Sequence, residues 1–192
     1  QRPAVTRLRL GVVQGLPSLG ASDEVCSAFG AALGQLRQSL DLELDLVPVR
    51  LDGMDLGVSR RAGLLLCEAE LYPQLAALVR ERPDALPGDL LAMMRYIERK
   101  SALDLGRAVA QVARTGAQLD ALAQNFDALL LPTAPQVAFD MRGPVPGNQA
   151  DFTAMANMNG APAISLPLRV PAGAMPVGLQ ADVGVFSFYA TK

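Results

Sequence analysis

The chain has 192 residues, a net charge of −2 and an apolar fraction of 51%. This length suffices for a sizeable core, and we expect a single domain over residues 1–192. No uninterrupted apolar run reaches the ~18 residues needed to span a membrane, and the basic side chains form no stripe for a phosphate backbone, which argues against membrane and nucleic-acid partners. Histidine is absent, which excludes Ser-His-Asp and Cys-His catalysis and the commonest metal ligand, and we expect neither a metal nor a cofactor.

The first fifty residues predict a βαβ unit. Polar and apolar residues alternate over 6–13 and again over 42–51, which is typical of strands, and helical spacing of apolar residues runs from Ser22 to Leu40 between them. Parallel strands joined by a helix need helices on the faces of their sheet. The predicted class is therefore α/β.

Two long helical runs fill the middle of the chain. The first covers Met54–Arg82, and the second covers Asp89–Gln124 after a break at Pro83 and Pro87-Gly88. The predicted elements of the last third are, in order, a strand over Phe126–Pro132, a loop over Pro135–Gln149, a helix over Asp151–Asn159 closed by Gly160, a strand over Ala163–Leu168, a turn at Pro171-Ala-Gly173 and a last strand opening at Pro176–Gln180.

Three blocks in this last third carry a family resemblance. They are Phe126-Asp-Ala-Leu-Leu-Leu-Pro-Thr-Ala-Pro135, Asp151-Phe-Thr-Ala-Met-Ala-Asn-Met-Asn-Gly-Ala-Pro-Ala-Ile-Ser-Leu-Pro167 and Pro176-Val-Gly-Leu-Gln180. In order and spacing they resemble consecutive blocks of the amidase-signature family, and a weaker similarity extends over about residues 5–180. The resemblance implies the C-terminal portion of that fold, with a mixed, largely parallel sheet covered by helices. After Gln180 the sequence departs from the family pattern.

The resemblance implies hydrolysis of linear amide C–N bonds, but it supplies no catalytic residue for this chain. The family's catalytic unit is a lysine, a serine at a cis peptide and a nucleophilic serine in a Gly/Ser-rich segment. No such segment occurs here, and the lysines are Lys100 and Lys192. The triad is therefore expected outside this chain, and the alternative is a non-catalytic homologue acting as a binding or scaffold subunit.

The same resemblance implies the partners. The complete enzyme would act on a small-molecule amide, and this part would pair with the remaining part of the amidase domain or self-associate, because a shared sheet leaves edges and apolar faces here. The two cysteines, Cys26 and Cys67, form neither a CxxC motif nor a disulfide framework, which favours a cytoplasmic location.

Asp151, Thr153 and Asn157 are the candidate substrate-binding residues. The resemblance implies that an acid near position 151 binds the amino group of a substrate, whereas the interpretation from local structure is an N-cap for the following helix. Thr153, Asn157 and Asn159 are polar in an apolar block, where holding loops near the site is favoured over touching substrate.

Other chemistry-bearing residues favour ordinary structural roles. Lys100 and Ser101, if both are helical, point ~100° apart and cannot pair. Cys26 and Cys67 lie among Ala and Leu and fit small core residues better than nucleophiles. Arg142, a lone arginine on a loop, is expected to be solvated rather than to meet an acidic substrate.

Overall fold

The computed structural model describes residues 7–39, 43–140, 142–168 and 181–187. The strands among them are β1 (Arg7–Val13), β2 (Glu43–Val49), β3 (Ala128–Pro132), β4 (Ala163–Leu168) and β5 (Ala181–Ser187). The helices are α1 (Asp23–Ser39), α2 (Leu56–Glu81), α3 (Gly88–Ile97), α4 (Ala102–Ala123) and α5 (Ala154–Asn159), with short 3-10 turns at Leu16–Leu19 and Pro83–Ala85.

The strands form one sheet in the order β2-β1-β3-β5-β4. Strand β1 runs parallel to both β2 and β3, whereas β5 runs antiparallel to β3 and β4. Within the described residues β5 is thus the strand that opposes the direction of the other four. The predicted α/β class with a mixed, largely parallel sheet is confirmed, and so is the opening βαβ unit.

Strand β1 is central because its residues suit contact on both sides. Leu10, Val12 and Val13 are buried in the core, while Arg7 and Arg9 form exposed ion pairs with acids of β2. A Cβ atom placed on Gly11 would lie 2.6 Å from the Leu129 side chain, so a larger residue at this position would force that buried side chain to shift.

The core lies between the sheet and the helices. Its largest fully buried side chains include Phe152, Leu119, Leu129 and Leu131, whereas the buried Met94 of α3 lies outside this cluster. Phe152 and Met155 come from the predicted amidase-signature block, so that block contributes to the core as well as to the surface. Helix α4 packs against α2 and α5, and this contact fixes where α5 lies.

The predicted helix over Asp89–Gln124 is wrong as a single element. It is divided into α3 and α4, and Ser101 is the N-cap of α4. The Ser101 hydroxyl accepts a hydrogen bond from the backbone N–H of Asp104, and the Asp104 carboxylate accepts one from the backbone N–H of Ser101. This capping box starts a new helix and turns the chain by satisfying backbone groups that a helix end leaves unpaired.

Helix α2 is exposed for much of its length. By length and composition alone, α2 is long and apolar enough to cross a membrane, and 11% of its most apolar 18-residue stretch is buried. One such helix is weak evidence for a membrane, because core helices of other proteins pass the same test. Helix α2 nevertheless leaves apolar side chains exposed, among them Val58 and Leu64.

The remaining predictions for the last third divide into three groups. The loop over Pro135–Gln149 is confirmed, because its described residues contain no helix or strand. The following helix starts at Ala154 rather than Asp151, and Gly160 closes it with a φ of +66°, as expected. The predicted turn and strand opening at residues 171–180 lie outside the described residues, and β5 follows where the family pattern is lost.

Candidate functional site

Asp151 is buried and bound by an arginine from a distant part of the sequence. The Arg60 Nε atom donates a hydrogen bond to Asp151 Oδ1 over 2.5 Å. Arg60 lies on the first turns of α2, and its side chain is 17% exposed against 9% for that of Asp151. The pair is shielded from solvent, where a charge-assisted bond is stronger than an exposed one.

The same arginine holds the loop that precedes Asp151. Arg60 Nη2 donates to the carbonyl oxygen of Gly147 over 2.7 Å. The backbone N–H of Asp151 in turn donates to the carbonyl oxygen of Asn148 over 3.0 Å. One guanidinium therefore binds both the end of the loop and the acid that follows it.

A second set of contacts ties this loop to the turn before α1. The Asn148 side chain donates to the carbonyl oxygen of Gly20 over 3.2 Å and accepts a hydrogen bond from the amide of Gln136. The Oε1 atoms of Gln136 and Gln149 are buried and accept no hydrogen bond from the part of the chain that the structure describes. The loop thus has fixed ends and carries acceptor atoms that are not used within the described chain.

The N-cap interpretation of Asp151 is wrong. The residue at the N-cap of α5 is Thr153, and no side chain caps this helix through a hydrogen bond. The Asp151 carboxylate accepts its hydrogen bond from Arg60 instead, because it is directed toward α2.

Thr153 and Asn157 lie one helical turn apart and are both exposed. Thr153 Oγ1 donates to the carbonyl oxygen of Ala150 over 3.2 Å. Thr153 thus contacts the turn before α5. Asn159 joins α5 to helix α4, because its amide donates to Asp120 Oδ1 over 2.9 Å, and its Oδ1 accepts from the backbone N–H of Ala161. Of the three candidate residues, Thr153 and Asn157 are therefore exposed, whereas Asp151 is buried.

The rejected nucleophile candidates occupy ordinary structural positions. Ser101 is an N-cap, and Lys100 precedes it in the break between α3 and α4, so the argument from one continuous helix does not apply, although its conclusion is unchanged. The Lys100 ammonium lies 4.1 Å from the centre of the Tyr96 ring. Cys26 is half-buried and Cys67 is exposed, so the expectation of a core position is wrong for Cys67.

Glu68 and Asp140, away from this pair, have shifted pKa values. Burial raises the pKa of Glu68 on α2, and the charge of Lys100 opposes this shift. Arg142 forms an exposed ion pair with Asp140, and its hydrogen bonds lower the pKa of that carboxyl. Among the described residues, no cluster of three or more acids and cysteines is placed to hold a metal ion.

Arg60 is the site residue that the sequence alone does not reveal. It is 91 positions from Asp151, and an arginine early in a helix has no pattern that distinguishes it from a solvated one. The signal that the sequence does carry is the Asp151 acid at the end of a Pro/Gly-rich loop.

The chain matches no protein-family model. It is 43% identical over 79 residues to the A subunit of the glutamyl-tRNA(Gln) amidotransferase of Thermus thermophilus, a match that covers 39% of this chain and 17% of that protein. It is 29% identical over 191 residues to the corresponding protein of Synechococcus sp., covering 93% of this chain and 37% of that protein. The chain thus spans well under half of the length of the curated relatives that it matches.

A solved bacterial aryl acylamidase of the amidase-signature family superposes with a TM-score of 0.75 over 95% of this chain and 40% of that chain, at 16% identity. The chain has the amidase-signature fold. The resemblance that the three sequence blocks carry is confirmed by the match to the amidotransferase A subunits and by the shared fold. In this fold Asp151 lies at the turn into α5.

Proposed function

We propose that this chain forms the C-terminal portion, within a single cytoplasmic domain, of an amidohydrolase that cleaves linear amide C–N bonds. The observation that supports this most directly is the amidase-signature fold over 95% of the chain. The Ser-cisSer-Lys triad would lie outside these 192 residues, since they contain no Gly/Ser-rich signature run. This part would then shape the substrate pocket without supplying the nucleophile.

The chemistry of the complete enzyme needs no histidine. A lysine that desolvation keeps neutral takes the proton of the nucleophilic serine through the bridging hydroxyl. The serine attacks the amide carbonyl, backbone N–H groups stabilise the oxyanion, and the amine leaves with the returned proton. Water then hydrolyses the acyl-enzyme, which regenerates the serine and releases the acid.

The substrate side of this part would be formed by Asp151, Thr153 and Asn157. Thr153 and Asn157 expose polar groups that can donate to or accept from an amide. Asp151 is buried and binds Arg60, which also binds the loop carbonyl of Gly147. Rigid placement of such a wall reduces the cost of ordering it when substrate binds.

The partner would be the remaining part of the amidase domain. Ile164 is 53% exposed on the edge strand β4, and Leu103 and Val109 of α4 are 62% and 55% exposed. Together with the uncovered surface of α2, these residues leave apolar area that a neighbouring chain segment would bury. Self-association is the other way to bury it.

Hydrolysis of benzamide, propionamide and glutamine tests the proposal, combined with intact mass after treatment with a serine-reactive fluorophosphonate. The chain alone should hydrolyse none of these amides and should keep its mass. A mixture with a polypeptide that carries the lysine and serines should hydrolyse at least one amide and label one serine, on the other polypeptide. Turnover by this chain alone with a labelled serine would contradict the proposed location of the triad.

The same experiment separates the second candidate, a non-catalytic binding or scaffold subunit. That function predicts association with another polypeptide but neither turnover nor labelling in the complex. The missing signature segment in these residues is compatible with it.

A further inference from the structure

Glu68 is a buried carboxyl group that forms no hydrogen bond or ion pair with the described residues. It lies in the middle of α2 and is 5% exposed, whereas Glu70 and Glu81 of the same helix are exposed. An ionised carboxylate in such a place is costly unless a cation or several donors accompany it. Glu68 is therefore either neutral or in need of a partner that can move toward it.

Lys100 is the cation whose charge acts on Glu68. It lies in the α3–α4 corner, which we define as residues 98–101, and α2 packs against both helices that meet there. The Lys100 ammonium lies 4.1 Å from the centre of the Tyr96 ring, and it forms no ion pair within the part of the chain that the structure describes. Because the ammonium is a compact charge on a flexible four-carbon stem, it can exchange one partner for another without a backbone movement.

The other charged or titratable side chains on α2 and on the elements packed against it act elsewhere or are exposed. Those elements are α3, α4, α5 and the turn at Pro83–Ala85, and α5 carries no charged residue. The groups that act elsewhere are Glu98, Arg95 and Arg80, which act on Tyr72, Arg107, which acts on Asp104, Arg60, which binds Asp151, and Asp120, which binds Asn159. The exposed groups are Arg61, Cys67, Glu70, Glu81, Asp84, Asp89, Arg99 and Arg114.

The balance between the two partners of Lys100 depends on the proton of Glu68. A neutral carboxyl group attracts an ammonium weakly, so the face of the Tyr96 ring is then the better partner. An ionised carboxylate that is shielded from water attracts the ammonium more strongly than an exposed one does. Burial raises the pKa of Glu68 above its ordinary value of 4.5, whereas hydrogen bonds from Ser101 lower the pKa of Asp104, the other acid that Lys100 attracts. Above pH 4.5 the changing charge beside Lys100 is therefore that of Glu68.

We infer that Lys100 is a pH-dependent switch of the α3–α4 corner, which lies on the Tyr96 ring while Glu68 is protonated and moves to the Glu68 carboxylate when that proton is lost to solvent. Lys100 keeps its own proton in both states. With Glu68 ionised, the corner is bound to α2 at two points, since the Tyr72 hydroxyl also donates to Glu98 Oε1 over 2.7 Å. The inference does not depend on the proposed function, because it involves no substrate and no part of the triad.

NMR of the lysine side chains tests the switch in the whole chain. Lys100 and Lys192 are its two lysines, so a chain labelled with ¹³C-lysine gives two sets of Hε–Cε signals, and Lys100→Arg assigns them. Protons above a ring face are shifted upfield by the ring current. The Lys100 Hε signal should be shifted upfield at pH 4.5 and should lose most of that shift by pH 8, in a single transition.

Three variants identify the groups involved. Glu68→Gln keeps this side chain neutral, so the Lys100 signal should stay upfield at every pH. Glu98→Gln is the matched control, because it removes an exposed acid of the same corner and should leave the transition unchanged. Tyr96→Leu should remove the upfield shift at pH 4.5.

Two results would overturn the inference. The first is a wild-type Lys100 signal with the same position at pH 4.5 and pH 8, which needs no variant to interpret. The second is a transition that persists in Glu68→Gln, since the titrating group would then be a different acid.

Discussion

Ser59 Oγ on α2 and Thr115 Oγ1 on α4 lie 2.7 Å apart, although 56 residues separate them, and both side chains are buried. Ser59 Oγ also donates to the carbonyl oxygen of Asp55 and accepts from Gln111 Nε2. The single hydroxyl proton of Ser59 is donated to the Asp55 carbonyl oxygen, so in the contact between the two hydroxyl groups Thr115 is the donor and Ser59 the acceptor. This polar contact joins α2 to α4, the two longest helices of the described chain, next to Arg60, the residue that binds Asp151.

The direction of that hydrogen bond predicts unequal effects of two substitutions. Ser59→Ala leaves the Thr115 hydroxyl buried without its acceptor and should destabilise the chain by about 1–3 kcal/mol. Thr115→Val removes the donor, while Ser59 keeps Asp55 and Gln111, and should cost about 1 kcal/mol or less. Urea unfolding of both variants measures the difference.

The double variant provides the control. Adding Thr115→Val to Ser59→Ala removes the stranded hydroxyl, so the pair should cost less than the sum of the single effects. Additive effects would mean that the two hydroxyl groups do not depend on each other.

Two glycines of α4 should respond in opposite directions to alanine. A Cβ on Gly116 would lie 2.7 Å from the carbonyl oxygen of Met158 in α5, whereas nothing lies within 4 Å of a Cβ on Gly106. Gly116→Ala should therefore push α5 away and destabilise the chain by about 1–3 kcal/mol. Gly106→Ala should stabilise it by about 0.5–1 kcal/mol, because alanine loses less backbone entropy in a helix.

Thermal unfolding measures both changes, and the position of α5 can be followed separately. If Gly116→Ala moves α5, coupling of the buried Asp151 carboxylate to glycine ethyl ester by a water-soluble carbodiimide, followed by peptide mass spectrometry, should become faster, since the turn before α5 carries that acid. Equal stability of the two variants would show that α4 and α5 are not in close contact through Gly116.

Much of this fold could be predicted from the sequence because its signals are local. The alternation in residues 6–13 and 42–51 reflects strands with two different faces, and the Pro/Gly content of 135–149 excludes regular structure. The division between α3 and α4 was also encoded, in the Ser101-x-x-Asp104 spacing of a capping box, but apolar spacing alone conceals it.

The site was predictable only in part. Asp151 is identified by its place between a loop and a helix, whereas its partner Arg60 depends on how α2 packs beside α5. No period or spacing within either segment encodes a contact over 91 residues. The failure of the N-cap interpretation has the same cause, because a carboxylate that ends a loop has two possible partners and tertiary packing selects one.

Replacement of Ser101 tests the start of α4 and the non-catalytic role of the Lys100-Ser101 pair. Ser101→Ala removes the acceptor for the Asp104 N–H and should destabilise the chain by about 1 kcal/mol.

The hydrogen bonds from Ser101 lower the pKa of Asp104, so this acid stabilises the fold above its usual pKa of 3.8 and loses that effect as the pH falls through its lowered value. Urea unfolding at pH 7 and pH 3 measures both terms, with Lys100→Gln as the control that should keep the cap. A stability unchanged by Ser101→Ala would contradict the capping box.

Glu68 should contribute less to the stability of the chain at neutral pH than at mildly acidic pH. It is 5% exposed, and burial raises its pKa above the ordinary value of 4.5, against the attraction of Lys100. The folded chain therefore binds the proton more tightly than the unfolded chain, and the free energy of unfolding contributed by Glu68 falls as the pH rises from 4.5 through the raised pKa.

Glu68→Gln removes the ionisation and should be more stable than the wild type at pH 7, with the difference closing near pH 4. Urea unfolding at the two pH values measures it, and Glu70→Gln, at an exposed position of the same helix, should show no such gain. A Glu68→Gln chain that is less stable than the wild type at pH 7 would mean that attraction to Lys100 outweighs the burial of the carboxylate.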